Sequence, residues 1–305
     1  MKKIKAMACV LTVAMLAGIF AGCSKTTKIT TDKFAKACEK LKLEEVDWND
    51  SGVGDEIEDG LYCIVNEDDI EDEPEEVESL LDTVGLGDVI DSDDVKSIGF
   101  AAKCIGAGFM DDVEDPEDLA DAEVDGAMAL VIELEDNYVG DVMDFVDDML
   151  DTYYVDTKDL TNKEYYVSKN DGYTRVHIDI AKLAKIVQDN DDIMELIDEV
   201  YDVDDFNDLC KQLSGDVAVT IEINGSNIFI LCGFSLNSKA TVLNSFSSAF
   251  GASNPAKIPM NDKLVKGLVE DIFEDYGDLA TSQYSGGYDD YDFDDYDYDF
   301  DDEDI

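Results

Sequence analysis

Apolar residues recur along this chain with two periods, and the shifts between them predict its elements. From Ile29 to Leu43, Phe34, Ala37, Cys38 and Leu41 fall on one face of an amphipathic helix, with Thr30 or Thr31 as its cap. Leu61 to Val65 reads as a short strand. The acidic stretch 66–79 reads as loop and helix start, with Pro74 suited to a first helical turn.

Farther on, a strand-to-helix pattern occurs twice. AMALVIELEDNYVGDVMDFVDDML is an apolar run leading into a helix whose inward face is Val139, Val142, Met143, Val146, Met149 and Leu150. IFILCGFSLNSKATVLNSFSSAFG repeats the pattern, with Asn237 or Ser238 as cap and Val242, Phe246, Ala249 and Phe250 inward. Between them, EYYVSKNDGYTRVHIDI alternates on either side of Asn170-Asp171-Gly172, a hairpin signal, and Asn224-Gly225 joins VAVTIEI to IFILCGF. Helices over 192–213 and 262–274 complete the pattern, which stops at Tyr276.

Strand pairs followed by helices predict an α+β fold, an antiparallel sheet built of hairpins with helices packed on one face. Its recurring β-β-α order is consistent with a degenerate duplication, and equally with shared local physics. Residues 30–95 read as a small acidic α+β unit and 96–276 as the main α+β domain, one domain or two being open at this point.

A hydrophobic fraction of 45% supports a real core, so the formal charge of −53 belongs to the surface. Such a field repels nucleic acid, and no basic patch offsets it. The final stretch, YDDYDFDDYDYDFDDEDI, is where acidity becomes continuous. Its carboxylates repel one another and keep the aromatics from collapsing, which predicts a disordered tail over 277–305. That tail is a solubilising brush, a weak collector of Ca2+ or Mg2+ through Asp289, Asp290, Asp292, Asp294, Asp295 and Asp297, or a segment for a basic partner. No built cofactor site is expected.

The other end carries an address. MKKIKAMACVLTVAMLAGIFAGCSK opens with lysines, continues with an uncharged run too short to span a bilayer, and reaches a small pair before a cysteine. Phe20-Ala21-Gly22-Cys23 resembles the lipobox of bacterial lipoproteins, with Phe20 where that family more often has Leu. The resemblance implies removal of the signal peptide 1–22, a diacylglyceryl group on Cys23, and 23–29 as a lipidated tether. It implies placement on the extracytoplasmic face of the cell membrane, with membrane lipid as a partner through Cys23. The layout as a whole resembles that of uncharacterised surface lipoproteins of Gram-positive (Firmicute-type) bacteria. Lys25, Lys28, Lys33, Lys36, Lys40 and Lys42 follow the cysteine, either as a patch for an anionic leaflet or as an ordinary solvated helix face.

Signals for chemistry are sparse. The sole histidine, His177, shares a strand face with Tyr173, Arg175 and Asp179, a solvent-facing cross-strand partner for nearby acids, with no Gly-x-Ser-x-Gly elbow for a hydrolase triad. Arg175 is the only arginine, and GLG at 85–87 and GAG at 106–108 lack the lysine of a phosphate loop. Trp48 is the only tryptophan, against the several aromatic platforms of sugar-cleaving enzymes. The acidic runs 156–164 and 202–209 lack the glycine of an EF-hand loop, leaving pairs such as Asp111-Asp112 and Asp204-Asp205 as places for a specific cation. Cys38, Cys63, Cys104, Cys210 and Cys232 contain no C-x-x-C pair and read as buried thiols, their pairing open.

The reading that follows is a membrane-anchored, non-enzymatic binding or structural surface module that meets a cationic or cation-bridged partner. The alternatives are a low-affinity divalent-cation binding surface protein and a secreted hydrolase that uses carboxylates.

Overall fold

The computed structural model describes residues 26, 28–47, 55–72, 74–108, 116–152 and 157–269. The expected tail therefore lies outside the described residues.

Eight strands form one sheet: β1 (Glu44–Glu45), β2 (Leu61–Asn66), β3 (Val95–Ile105), β4 (Val124–Leu134), β5 (Tyr165–Val167), β6 (Asp171–Asp179), β7 (Gly215–Asn224) and β8 (Asn227–Leu236). Their spatial order is β1-β2-β3-β4-β8-β7-β6-β5, antiparallel throughout except for the parallel pair β1-β2. The two turns marked by Asn-Asp-Gly and Asn-Gly join β5 to β6 and β7 to β8, as the alternation predicts. Gly225 takes a positive φ of 63°, which the tight second turn requires.

The α+β class and the antiparallel sheet are as expected. The helices, however, cover both faces. At the centre β4 and β8 are buried on almost every residue, so each needs an apolar layer on both sides. Ile98, Leu130, Ile132, Val176, Ile228 and Ile230 point to one face. There they meet α2 (Glu67–Asp72), α3 (Pro74–Thr83), α4 (Val139–Thr152), α6 (Asp191–Val200) and a helix over 262–269. Helices α5 (Ile180–Gln188) and α7 (Val203–Cys210) flank α6.

Ala101, Ala127, Ala129, Val131, Ala218, Phe229 and Leu231 point to the other face, under α1 (Thr31–Leu41) and α8 (Thr241–Phe250). Small residues there let the helices sit close, and Phe34 stacks on Phe250 at 4.9 Å between ring centroids. The two helices that follow the central strands, α4 and α8, thus lie on opposite faces. The β-β-α repeat is one of element order and not of packing.

The boundary expected at residue 95 falls at the start of β3, inside this continuous sheet. Leu61 to Asn66 pair with Ser97 to Ala102, and both apolar layers draw residues from either side of it. Residues 30–95 do not form a separately packed unit.

Helix α1 begins at its predicted Thr30 cap, whose side chain accepts from the Lys33 N–H. Helix α8 departs from expectation. Its N-cap position is Ala240, which offers no side-chain bond, and the capping comes from β4 instead. Buried Asp125 accepts from the backbone N–H of Thr241 at 2.7 Å and of Val242 at 3.2 Å. A carboxylate from a distant strand thereby satisfies two orphan donors and meets the positive end of the helix dipole.

Gly233 on β8 marks the closest approach of α8, since a Cβ there would lie 2.5 Å from Leu243 Cδ2 and 2.8 Å from Leu243 Cβ. Gly233→Val should force α8 off the sheet and lower stability by about 1–3 kcal/mol, read from urea unfolding. Unchanged stability would show that the layer is loosely packed.

Candidate functional site

The α1–α8 face carries most of the buried polar groups. On β6, Tyr173, Arg175, His177 and Asp179 alternate toward it, opposite Glu222, Thr220, Ala218 and Asp216 of β7. The expected sharing of one face by the first four is found, but that face is covered and not open to solvent. Arg175 is fully enclosed and is the largest such side chain among the described residues.

Its partners come from the neighbouring strand. Arg175 Nε donates to Thr220 Oγ1 at 2.9 Å, Nη2 forms a buried ion pair with Glu222, and the guanidinium lies 4.3 Å from the centre of the Tyr173 ring. Tyr173 in turn stacks on half-exposed Tyr166 of β5 at 5.4 Å. Arg175 Nη1 has no partner among protein atoms. The only guanidinium of the chain is thus neutralised within the sheet by one carboxylate contact through Nη2.

His177 lies between two acceptors. Nδ1 is 2.6 Å from the Ile258 carbonyl oxygen and Nε2 is 2.6 Å from Asp216 Oδ1. Both acceptors call for a ring N–H, so this geometry suits the imidazolium. The contact pins the segment after α8 across β6, where β5 no longer covers the edge. Asp179 N–H to Met260 Sδ, at 3.3 Å, and Asn261 Nδ2 to Glu164 Oε1, at 3.0 Å, continue the clamp. His177 is largely enclosed, its side chain 10% exposed, and is a cross-strand partner for an acid, as its surroundings suggest.

A second polar line crosses the sheet one step nearer its end. Asp171, Asn224, Asn227, Glu133 and Ser97 stand in register on β6, β7, β8, β4 and β3. The chain that leads into α1 lies over this line. Thr26 Oγ1 donates to Asp171 Oδ2 at 3.4 Å and accepts from Asn224 Nδ2 at 3.0 Å. Thr31 donates to Glu133 Oε1 through its N–H at 2.5 Å and its hydroxyl at 2.8 Å, and that hydroxyl lies 3.2 Å from Ser97 Oγ. Buried Asn227, between them, has neither amide atom bonded to protein.

The remaining candidates fare differently. Asp204 and Asp205 open α7, where their backbone N–H groups donate to Asp202 Oδ1, so this acidic run is a helix start. Cys23, Trp48, the Asp111-Asp112 pair and the tail carboxylates Asp289, Asp290, Asp292, Asp294, Asp295 and Asp297 lie outside the described residues. A surface cleft of about 530 Å³ is lined by Glu78, Asp88, Asp91 and Asp93 with Tyr138. Tyr138 donates to Asp94, and that bond, ahead of desolvation, pushes its hydroxyl up to about 12. Among the described residues no group of three or more His, Cys, Asp or Glu is placed to hold a metal ion.

The lysines after Cys23 do not form one patch. Helix α1 starts beside Glu133 and Ser97 and ends where Glu44 pairs with Leu61, at the opposite end of the sheet. Lys28 and Lys33 are at its start, Lys40 and Lys42 at its finish.

The five cysteines are free thiols. Burial pushes Cys38 up to about 12, helped by the nearby Cys63, and pushes Cys232 up to about 12 and Cys63 and Cys104 up to about 11.

Sequence reasoning missed Thr220, Glu222, Asn224 and Thr26, because β6 and β7 are joined through three helices and their register has no local signal. The hint was polar residues at alternate positions of an otherwise apolar strand, VAVTIEIN. The chain matches no known protein-family model, and neither a curated protein nor a solved structure is significantly similar to it.

Two outcomes are expected. Glu222→Ala leaves the Arg175 charge enclosed and should cost about 3–5 kcal/mol, whereas Arg175→Met with Glu222→Leu should approach wild-type stability in urea melts. Comparable losses in both variants would remove the ion pair as the cause. Because unfolded thiols ionise near pH 8.5 and the folded ones well above it, stability should be full below that pH. It should fall as pH rises toward 11, alongside slow native-state labelling by a thiol reagent at pH 8; rapid labelling would contradict the burial.

Proposed function

We propose that this chain is a membrane-anchored extracytoplasmic lipoprotein whose α+β domain acts as a non-enzymatic binding or structural module at the cell surface. The observation that carries the reading is Phe20-Ala21-Gly22-Cys23 directly behind a short uncharged run with lysines before it. Two acyl chains on one cysteine supply the two hydrophobic signals that stable anchoring needs. The folded part supports the reading, since Thr26, three residues beyond Cys23, is held by Asp171 and Asn224. Its polar side chains are engaged with one another: Arg175 with Glu222, His177 with Asp216, and Asp125 with the start of α8. On this reading the partners are membrane lipid through Cys23 and a cationic or cation-bridged polymer met by the acidic exterior.

Expression in a Gram-positive host fed an alkyne fatty acid tests it. The wild-type chain should take up the label, lose residues 1–22 and fractionate with membranes, and Cys23→Ala should do none of these. A wild-type chain released free of label would overturn the reading.

A further inference from the structure

The path of the chain between the anchor and α1 defines how the domain stands on the membrane. This inference rests on the lipid at Cys23. Thr26 is 7% exposed and Ile29 is 2% exposed. Thr26 is bonded to β6 and β7, Thr31 to β4 and β3. Neighbouring strands are about 4.8 Å apart, so the three spacings from the β6–β7 pair to the β4–β3 pair are about 14 Å, most of the reach of about 17 Å for five extended residues. Thr26 and Thr31 are therefore both fixed at the end of the sheet, with little chain to spare between them. A flexible tether over 23–29 would need these residues free.

Only the three peptide units from Cys23 to Thr26 remain as a link. They span at most about 11 Å, a length that allows no wide excursion from the lipid surface.

We propose that the domain docks on the lipid headgroups by the tip formed from turns 168–171 and 224–227. The tip is the part of the fold nearest the anchor, and the two turns are tied together by the Gly225 N–H to the Asn170 carbonyl at 2.9 Å. The turns read Ser-Lys-Asn-Asp and Asn-Gly-Ser-Asn. Their single carboxylate, Asp171, is occupied by Ser168 and Thr26, and Lys169 is exposed, as is nearby Lys28.

Other acids adjoin the tip, since the Leu134 N–H donates to the Ser226 carbonyl and Asn137 Nδ2 to that of Lys169, which brings Glu135 and Asp136 beside it. Exposed Glu135 pairs with Lys96 at 3.8 Å, Asp136 follows it, and Glu67, Asp68 and Asp69 follow β2, which lies five strand spacings from β6. The opposite end of the sheet exposes Glu58, Asp59, Glu117, Asp121 and Glu123. Repulsion from an anionic leaflet acts within a Debye length of about 8–10 Å. The short link sets the orientation, with β6–β8 turned toward the lipid and the acids of the opposite end, about 30 Å away, beyond that screening length.

The test uses the full acylated chain in vesicles of phosphatidylethanolamine and phosphatidylglycerol that carry a headgroup energy acceptor. A donor dye is placed through a clickable side chain at Asn170 or at Lys239, both exposed and at opposite ends of the sheet. These ends are separated by about 30 Å along β8. Transfer should be several-fold stronger from position 170 than from 239. Inserting about eight Gly and Ser residues between Cys23 and Thr26 leaves the fold untouched and should shrink that contrast. Thr26→Val with Asn224→Ala should shrink it too, provided its melting curve stays cooperative.

Mass spectrometry of the N-terminal peptide reports the lipid independently. Acylated protein with equal transfer from both positions would overturn the docking and leave the anchor standing. Protein with no lipid on Cys23 would overturn both.

Discussion

Ten residue pairs join β4 to β8 at the middle of the sheet, and both strands are apolar on both sides. Backbone hydrogen bonding holds this pair together, but burial decides what surrounds it. Neither face tolerates water, so every other element is placed by the need to cover one of them. Branched residues on one side receive α2, α3, α4 and α6, while alanines and glycines on the other admit α1 and α8 at close range. The division also explains why so acidic a chain folds. Its carboxylates lie at helix starts, turns and outer helix faces, and the few that enter the sheet interior each meet a donor.

Those few join the elements to one another. Asp125 holds the start of α8, Glu133 holds the start of α1, Glu222 neutralises Arg175, and Asp216 faces His177. Each links segments more than thirty residues apart, so each contributes to uniqueness of the fold as much as to its stability. The α1–α8 face is consequently a polar seam inside an apolar sandwich, and Thr26 and Thr31 are sewn into it.

Local signals in the sequence carried a good part of this. Helix α1 with its Thr30 cap, α3 with Pro74 in its first turn, the inward residues of α4, and both hairpin turns follow from spacing and turn chemistry acting over a few residues. What could not be read depends on partners far away in sequence. The run VKSIGFAAKCI lacks clean alternation because β3 is covered on both faces, so nothing in it announced an eleven-residue strand. Ala240 has no capping side chain because Asp125 performs that role from β4. His177 and Arg175 look solvent-facing when β6 is taken alone, and become interior once α8 and the segment after it fold across.

The enclosure of the chain's single arginine has a consequence for proteolysis. Every exposed cation on the described surface is a lysine, so proteases that cleave after lysine have many points of attack, while those strict for arginine have one bond, in the middle of β6. That bond, between Arg175 and Val176, is held by the ladder to β7 at both residues, and β5 covers the strand up to Thr174. Opening of β6 alone would present it, and a cut there would separate β5 and the first half of the molecule from β7 and β8. An environment rich in arginine-directed proteases would therefore spare the folded domain and sever any copy whose sheet has parted.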